Sequence, residues 1–223
     1  MPVIKITDQS DRSEDVVDDA VSYTQKIYNV AVFGSKNSGK TSLITQYMAG
    51  FYIQGTHPGF FSPPNKVLPF PNDKINLQLK VFESHCLELE ELPRLRFSKE
   101  IPYASIIILT FDLTDKKSLE VLSEQLKLIN MYQGNHAVVA LVGTKCDGDV
   151  VISQKEIDRF LEDSRLFAVD IYAKTSAKEN INLASLFLAA TKLCLQKNNL
   201  IAPEPTTDDK QAKTPKSGDC SLM

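Results

Sequence analysis

Gly34-Ser35-Lys36-Asn37-Ser38-Gly39-Lys40-Thr41 is the stretch on which the reading of this 223-residue chain turns. It follows the apolar run Tyr28-Asn29-Val30-Ala31-Val32-Phe33 and leads into Ser42-Leu43-Ile44, the start of an amphipathic segment. The pattern is G-x-x-x-x-G-K-[ST], set between a strand and a helix as a phosphate-binding loop requires. Glycines let consecutive backbone N–H groups turn inward and form an anion-binding nest. The helix that follows adds the positive end of its dipole. Lys40 is placed to reach terminal phosphates as a point charge, and the Thr41 hydroxyl to ligate Mg²⁺. Gly34, Asn37, Ser38, Gly39, Lys40, Thr41 and Ser42 are the candidate phosphate residues, with Thr41 as the metal ligand. The plainer alternative is a glycine-rich turn ahead of a helix.

Outward from the loop, strand and helix patterns alternate. A strand over Lys26–Phe33 precedes the loop and a helix over Lys40–Ala49 follows it. The stretch from Phe51 to Asn72 is too rich in Pro, Gly and aromatics for regular structure before Lys66–Phe70. Ile75, Leu77, Leu79 and Val81 alternate with Asn76, Gln78 and Lys80, a period of two that marks a half-buried strand. Asn72-Asp73 is a plausible hairpin turn that would pair this strand antiparallel to Lys66–Phe70. Residues 86–99 carry a leucine stripe among charges and suit an irregular helix. The continuous apolar runs Ala104–Phe111 and His136–Val142 suit parallel strands covered on both faces. Helical periodicity returns over Lys117–Tyr132. Ser153–Asp163 reads as a helix with a Ser153/Glu156 capping box. A last strand over Leu166–Tyr172 and an amphipathic helix over Leu183–Gln196 complete the pattern. The expected fold is a P-loop NTPase-type α/β fold: a doubly wound, mostly parallel six-stranded sheet with one antiparallel edge strand and helices on both faces. Ligands of such sheets sit at the carboxyl ends of the strands.

Composition agrees with a globular domain plus tails. Hydrophobic residues make up 43% and charged residues 24%, and the net charge of −3 gives no general attraction to nucleic acid. Cys86, Cys146, Cys194 and Cys220 are scattered, which suggests neither a zinc site nor a disulfide framework. No signal peptide, membrane-spanning run or myristoylation site is evident, so a cytosolic protein with reduced thiols is expected. Residues 1–25 hold a short alternating run, Val3-Ile4-Lys5-Ile6, then an acidic stretch. They read as a flexible extension with a short helix near Asp15–Tyr23.

Two further polar motifs follow strands. Gly143-Thr144-Lys145-Cys146-Asp147 comes after the strand ending at Val142, and Thr175-Ser176-Ala177-Lys178 after the strand ending near Tyr172. Either motif alone could be an ordinary polar turn. Together with the phosphate loop, and in this order, they make the chain resemble the Ras superfamily of small GTPases over roughly Lys26 to Gln196. Phe111-Asp112-Leu113-Thr114-Asp115 resembles the family's fourth strand and following turn. The resemblance implies that Lys145 and Asp147 read guanine and that Ala177 supports the base through its backbone N–H. It also implies that Thr144 and Ser176 brace the loops, and Lys178 is a further candidate nucleotide-binding residue. Tyr52 or Phe51, twelve or eleven residues past Lys40, stands where the family places an aromatic against the base, although ordinary packing explains it equally well. GTP or GDP with Mg²⁺ is the implied ligand.

The departures from the family pattern are as informative. Glu83-Ser84-His85-Cys86-Leu87 takes the place of the family's DxxGQ, so its aspartate, glycine and glutamine are replaced by Glu83, Cys86 and Leu87. Leucine cannot orient an attacking water, and phosphoryl transfer of this kind depends on positioning and electrostatics. Slow or absent GTP hydrolysis is the expectation. Lys36 replaces a glycine common in the family and could either crowd or stabilise the γ-phosphate. Thr56-His57-Pro58-Gly59 only faintly resembles a switch threonine, and a plain loop explains it as well. His85 and Cys86 lack a visible activating partner, so no catalytic residue is assigned.

The chain ends in Cys220-Ser221-Leu222-Met223, a C-a-a-X sequence of the farnesyl type, after a tail of Pro, Thr, Lys and Asp. Without a polybasic stretch or a second tail cysteine, one prenyl group on Cys220 would give reversible attachment to the cytosolic face of a membrane. The expected protein is a monomeric, atypical guanine-nucleotide-binding protein that acts through effector or regulator proteins at a membrane. The alternative is a nucleotide-independent adaptor that keeps the fold as a scaffold. An efficient cycling GTPase would need a water-positioning group not found here. A nucleotide kinase would not need the two base motifs.

Overall fold

The computed structural model describes residues 4–6, 22–55, 64–83, 101–132, 137–163 and 169–202. Seven strands form one sheet: β1 (Ile4–Ile6), β2 (Thr24–Gly34), β3 (Asn65–Phe70), β4 (Ile75–Glu83), β5 (Ile106–Asp112), β6 (Val138–Thr144) and β7 (Ile171–Lys174). Their order is β1-β7-β6-β5-β2-β4-β3, and only β3 runs antiparallel to its neighbour. The described helices are α1 (Lys40–Ala49), α2 (Lys116–Glu120), α3 (Leu122–Tyr132), α4 (Gln154–Asp163) and α5 (Leu183–Lys197).

Strand periodicity divides the core into two layers. Val30, Val32, Ile106, Ile108, Val138 and Ala140 project to the face packed by Leu43 and Ile44 of α1 and Leu186 and Phe187 of α5. Their neighbours Ala31, Phe33, Ile107, Leu109, Val139 and Leu141 project to the opposite face, against Leu119, Leu122, Leu126 and Ile157. Every residue of β5 and β6 is buried, as two covered faces require. Along β4, Ile75, Leu77, Leu79 and Val81 are buried while the intervening residues are not, the half-covered strand its alternation implies. The β3–β4 hairpin turns through Pro71–Asp73, with Phe70 opposite Ile75. Ser153 and Glu156 exchange bonds at the start of α4: Ser153 N donates to Glu156 Oε2 at 2.7 Å, and Glu156 N to Ser153 Oγ at 3.3 Å.

Three expectations are corrected. The sheet has seven strands, not six, because Ile4–Ile6 pairs parallel with Ile171–Ala173 and covers an edge of β7 that would otherwise be open. This alternating run is therefore no part of a flexible extension, and Ile6 packs on the core. The single helix expected over Lys117–Tyr132 is two, separated at Val121 but sharing one apolar face through Leu119, Leu122, Leu126 and Ile129. Of the last strand expected over Leu166–Tyr172, residues 166–168 lie outside the described residues, and the described strand starts later and runs further, over Ile171–Lys174. The acidic segment and the core of its proposed helix, Thr56 to Gly59, Ser84 to Leu87, the helix over 86–99 and the tail with Cys220 lie outside the described residues.

Candidate nucleotide site

The phosphate loop leaves β2 at Gly34 and enters α1 at Lys40, at the carboxyl end of the sheet. Gly34 (φ 150°) passes so close to β5 that a Cβ there would lie 2.2 Å from Thr110 Oγ1. Thr110 Oγ1 donates to Phe33 O at 3.0 Å. With that proton spent, Ser38 Oγ is the donor in its 2.7 Å bond to Thr110 Oγ1. Asn37 and Gly39 adopt left-handed backbone at φ 62° and 83°. Gly39 is the N-cap of α1 and makes no side-chain cap, and no acidic residue occupies the first turn. The first turn of the helix thus brings no acid of its own to its positive end, a feature that suits an anion site.

Lys40 is buried and donates to Gly34 O at 3.0 Å and to Ser35 O at 2.8 Å. Burial lowers its pKa, and the carboxylate of Glu83 acts in the opposite sense. Its ammonium is curled within the loop, where an incoming phosphate would favour the charged form. At the next residue, the Thr41 hydroxyl donates to Glu83 Oε1 at the end of β4. Hydroxyl and carboxylate oxygens are hard donors of the kind Mg²⁺ takes, together with water and phosphate oxygens. Thr41 and Glu83 fit that ion, which would neutralise phosphate charge here.

The base motifs converge on the same end. Thr144 Oγ1 shares its proton between Ser38 O (2.7 Å) and Phe111 O (3.0 Å), tying the phosphate loop to β5 and β6. Lys145 follows in left-handed backbone (φ 57°), and Gly148 N closes a turn onto its carbonyl at 3.1 Å. Cys146 N donates to Thr175 O at 3.1 Å, joining the two base loops. Ser176 is buried, bridged to Ile181 through the backbone, and its hydroxyl accepts from Glu179 N at 3.0 Å. One open pocket lies between these loops. Its walls include Gly39, Ser42, Tyr52, Lys145, Asp147 and Ala177, with Thr144 and Lys178 beside them.

The predicted residues therefore divide by role. Gly34, Asn37, Ser38, Lys40 and Thr41 shape the phosphate loop, and Ser176 holds a loop from behind. Thr114, Thr175 and Gly148 also line the pocket without having been picked out. Asp112, likewise missed, places its carboxylate on Lys145 Nζ. Its signal was an acid ending the apolar run Ile106–Phe111, at the end of the sheet where ligands bind.

A phosphate-loop α/β fold with paired base loops defines the class of this protein. The model of the Ras family matches residues 29–196, and the chain belongs to that family. It is 30% identical to human GTP-binding protein Di-Ras1 over 203 residues, covering 88% of this chain and 96% of that one. Human Ras-related protein Rab-30 is 29% identical over 168 residues, covering 73% and 77%. GTP-binding protein drn-1 of Caenorhabditis elegans is 27% identical over 205 residues, covering 88% and 86%.

Proposed function

We propose that this chain is a guanine-nucleotide-binding protein that hydrolyses GTP slowly or not at all and acts through partner proteins at a membrane. The observation that carries the reading is the pocket in which Lys145, Asp147 and Ala177 stand beside Gly39 and Ser42. A carboxylate on this wall can accept from the guanine N1–H and exocyclic amine, a donor pair adenine lacks. The relatives named as GTP-binding proteins support the same ligand. Mg²⁺ would be held by Thr41, with Glu83 beside it.

Impaired hydrolysis is supported by the residues after β4. Glu83 stands where the family has a shorter acid, and Ser84-His85-Cys86-Leu87 supplies neither the glycine nor the glutamine. Attachment to the cytosolic face of a membrane rests on Cys220 within its C-a-a-X sequence. The protein would then work by presenting a surface to effectors or regulators as a monomer.

The test is nucleotide content and turnover on one purified sample. Denaturation should release near-stoichiometric guanine nucleotide, and single-turnover assays with GTP and Mg²⁺ should show little hydrolysis. Brisk hydrolysis would overturn the impaired reading. A chain that is empty and cannot be loaded would be a nucleotide-independent adaptor.

A further inference from the structure

Asp112 and Thr144 are register partners at the carboxyl ends of β5 and β6, and Lys145 is the next residue. The Asp112 side chain is only 10% exposed and is fixed from several sides. Its Oδ1 accepts from Thr114 N at 2.8 Å and from Thr114 Oγ1 at 2.7 Å. Its backbone N–H donates to Ser118 Oγ at 2.9 Å. Leu113 N donates to Thr144 O at 3.1 Å, which staples the two strand ends together just beyond. The remaining oxygen, Oδ2, takes the ammonium of Lys145. Lys145 is thus held at both ends, by its left-handed turn and by this carboxylate, and it lines the pocket together with Thr114 and Asp147.

From this geometry we infer that Asp112 is a positioning residue: it stretches Lys145 along the wall of the base pocket before nucleotide arrives and so slows nucleotide release. The inference rests on the guanine-nucleotide reading above and deepens it. A free lysine has many rotamers, and a side chain ordered in advance does not lose that freedom on binding. A carboxylate already anchored by two hydrogen bonds is a suitable post for it, since a charge-assisted bond is shorter and stronger than a neutral one. The opposite relation is also testable: a pair that must break before the base can enter would act as a latch.

The experiment uses the full chain, Mg²⁺ and fluorescently labelled GDP. Asp112→Asn keeps the size of the side chain and can keep the Thr114 bonds, but removes the charge that holds Lys145. Label release should quicken about tenfold, the scale of losing one pre-ordered, rotamer-rich side chain. In a Lys145→Ala background the same change should add nothing, and Asp112→Glu should recover part of the wild-type rate. Thr114→Val, which removes one tether of the carboxylate, should shift release in the same direction by less and serves if Asp112→Asn fails to fold. Release at the wild-type rate overturns the inference. So does an equal acceleration with and without Lys145, which would mark a merely structural role, and slower release would mark a latch. A wild-type chain that takes up no labelled GDP overturns the guanine-nucleotide reading itself, and this inference with it.

Discussion

Thr41 donates its hydroxyl proton to Glu83 Oε1, joining the first turn of the phosphate-loop helix to the last residue of β4. The contact brings the hydroxyl proposed to hold Mg²⁺ and an acid from the neighbouring strand to one point. Thr41→Ala should weaken Mg²⁺ binding about 10- to 100-fold, the usual scale for disturbing a metal ligand or its supporting partner. In the wild-type chain a chelator should hasten GDP release. In Thr41→Ala, release should already be fast and indifferent to the chelator. Glu83→Ala should fall between the two, and stopped-flow release with and without chelator separates all three.

Gly34 has no room for a side chain. A Cβ would meet Thr110 O at 2.4 Å and Ser38 Oγ at 2.7 Å, as well as the Thr110 hydroxyl, and a backbone atom cannot swing aside. Gly34→Ala should therefore destabilise the fold by about 2–3 kcal/mol, an overpacking cost added to unfavourable backbone. A denaturant melt should show a lower midpoint with an unchanged slope.

How much of this could be read from the sequence depended on whether the cause was local. The phosphate loop was fully legible, because glycine placement and helix onset dictate its backbone. The buried strands β5 and β6 were legible because coverage on both faces demands uninterrupted apolar residues. Three-residue β1 was not, since Ile4-Lys5-Ile6 becomes a strand only through the exposed edge of β7 far along the chain. Asp112 was missed for the same reason. Its value lies in Lys145, which is 33 positions away in sequence and adjacent only because β5 and β6 pair in parallel. The residues beyond Glu83 gave chemistry by their absences, which a sequence shows as clearly as a fold.

The N-terminal strand gives a prediction about the base loop. β7 runs directly into Thr175-Ser176-Ala177-Lys178, and β1 pairs alongside its first three residues. Deleting residues 1–7 should unpair that edge and lower the local opening free energy of β7 by about 1–2 kcal/mol, the worth of a few backbone hydrogen bonds. Hydrogen exchange should quicken at Ile171–Lys174 and in the following loop, while β2 and β5 keep their protection. Lys5→Glu alone should change little, because its bond to Asp158 (2.8 Å) is between exposed side chains.

Lys40 should make nucleotide affinity depend on pH. Burial lowers its pKa, and Glu83 only partly offsets the effect. In the nucleotide-free chain the folded state therefore gives up this proton at a lower pH than the unfolded state does. Between the two values the unfolded chain holds more protons, so the stability of the empty protein rises with pH across that window. Bound phosphate reverses the balance, because a neighbouring anion favours the charged ammonium. GDP binding should then take up a proton at alkaline pH, and affinity should fall as pH rises through the lowered pKa. Titration calorimetry in two buffers of different ionisation enthalpy measures this uptake directly. It should grow as pH rises and the empty site begins to lose its proton. Lys40→Met should bind weakly and lose the added alkaline uptake. If the wild-type uptake persists in that variant, another group carries the proton, and the link between the buried ammonium and the phosphate is wrong.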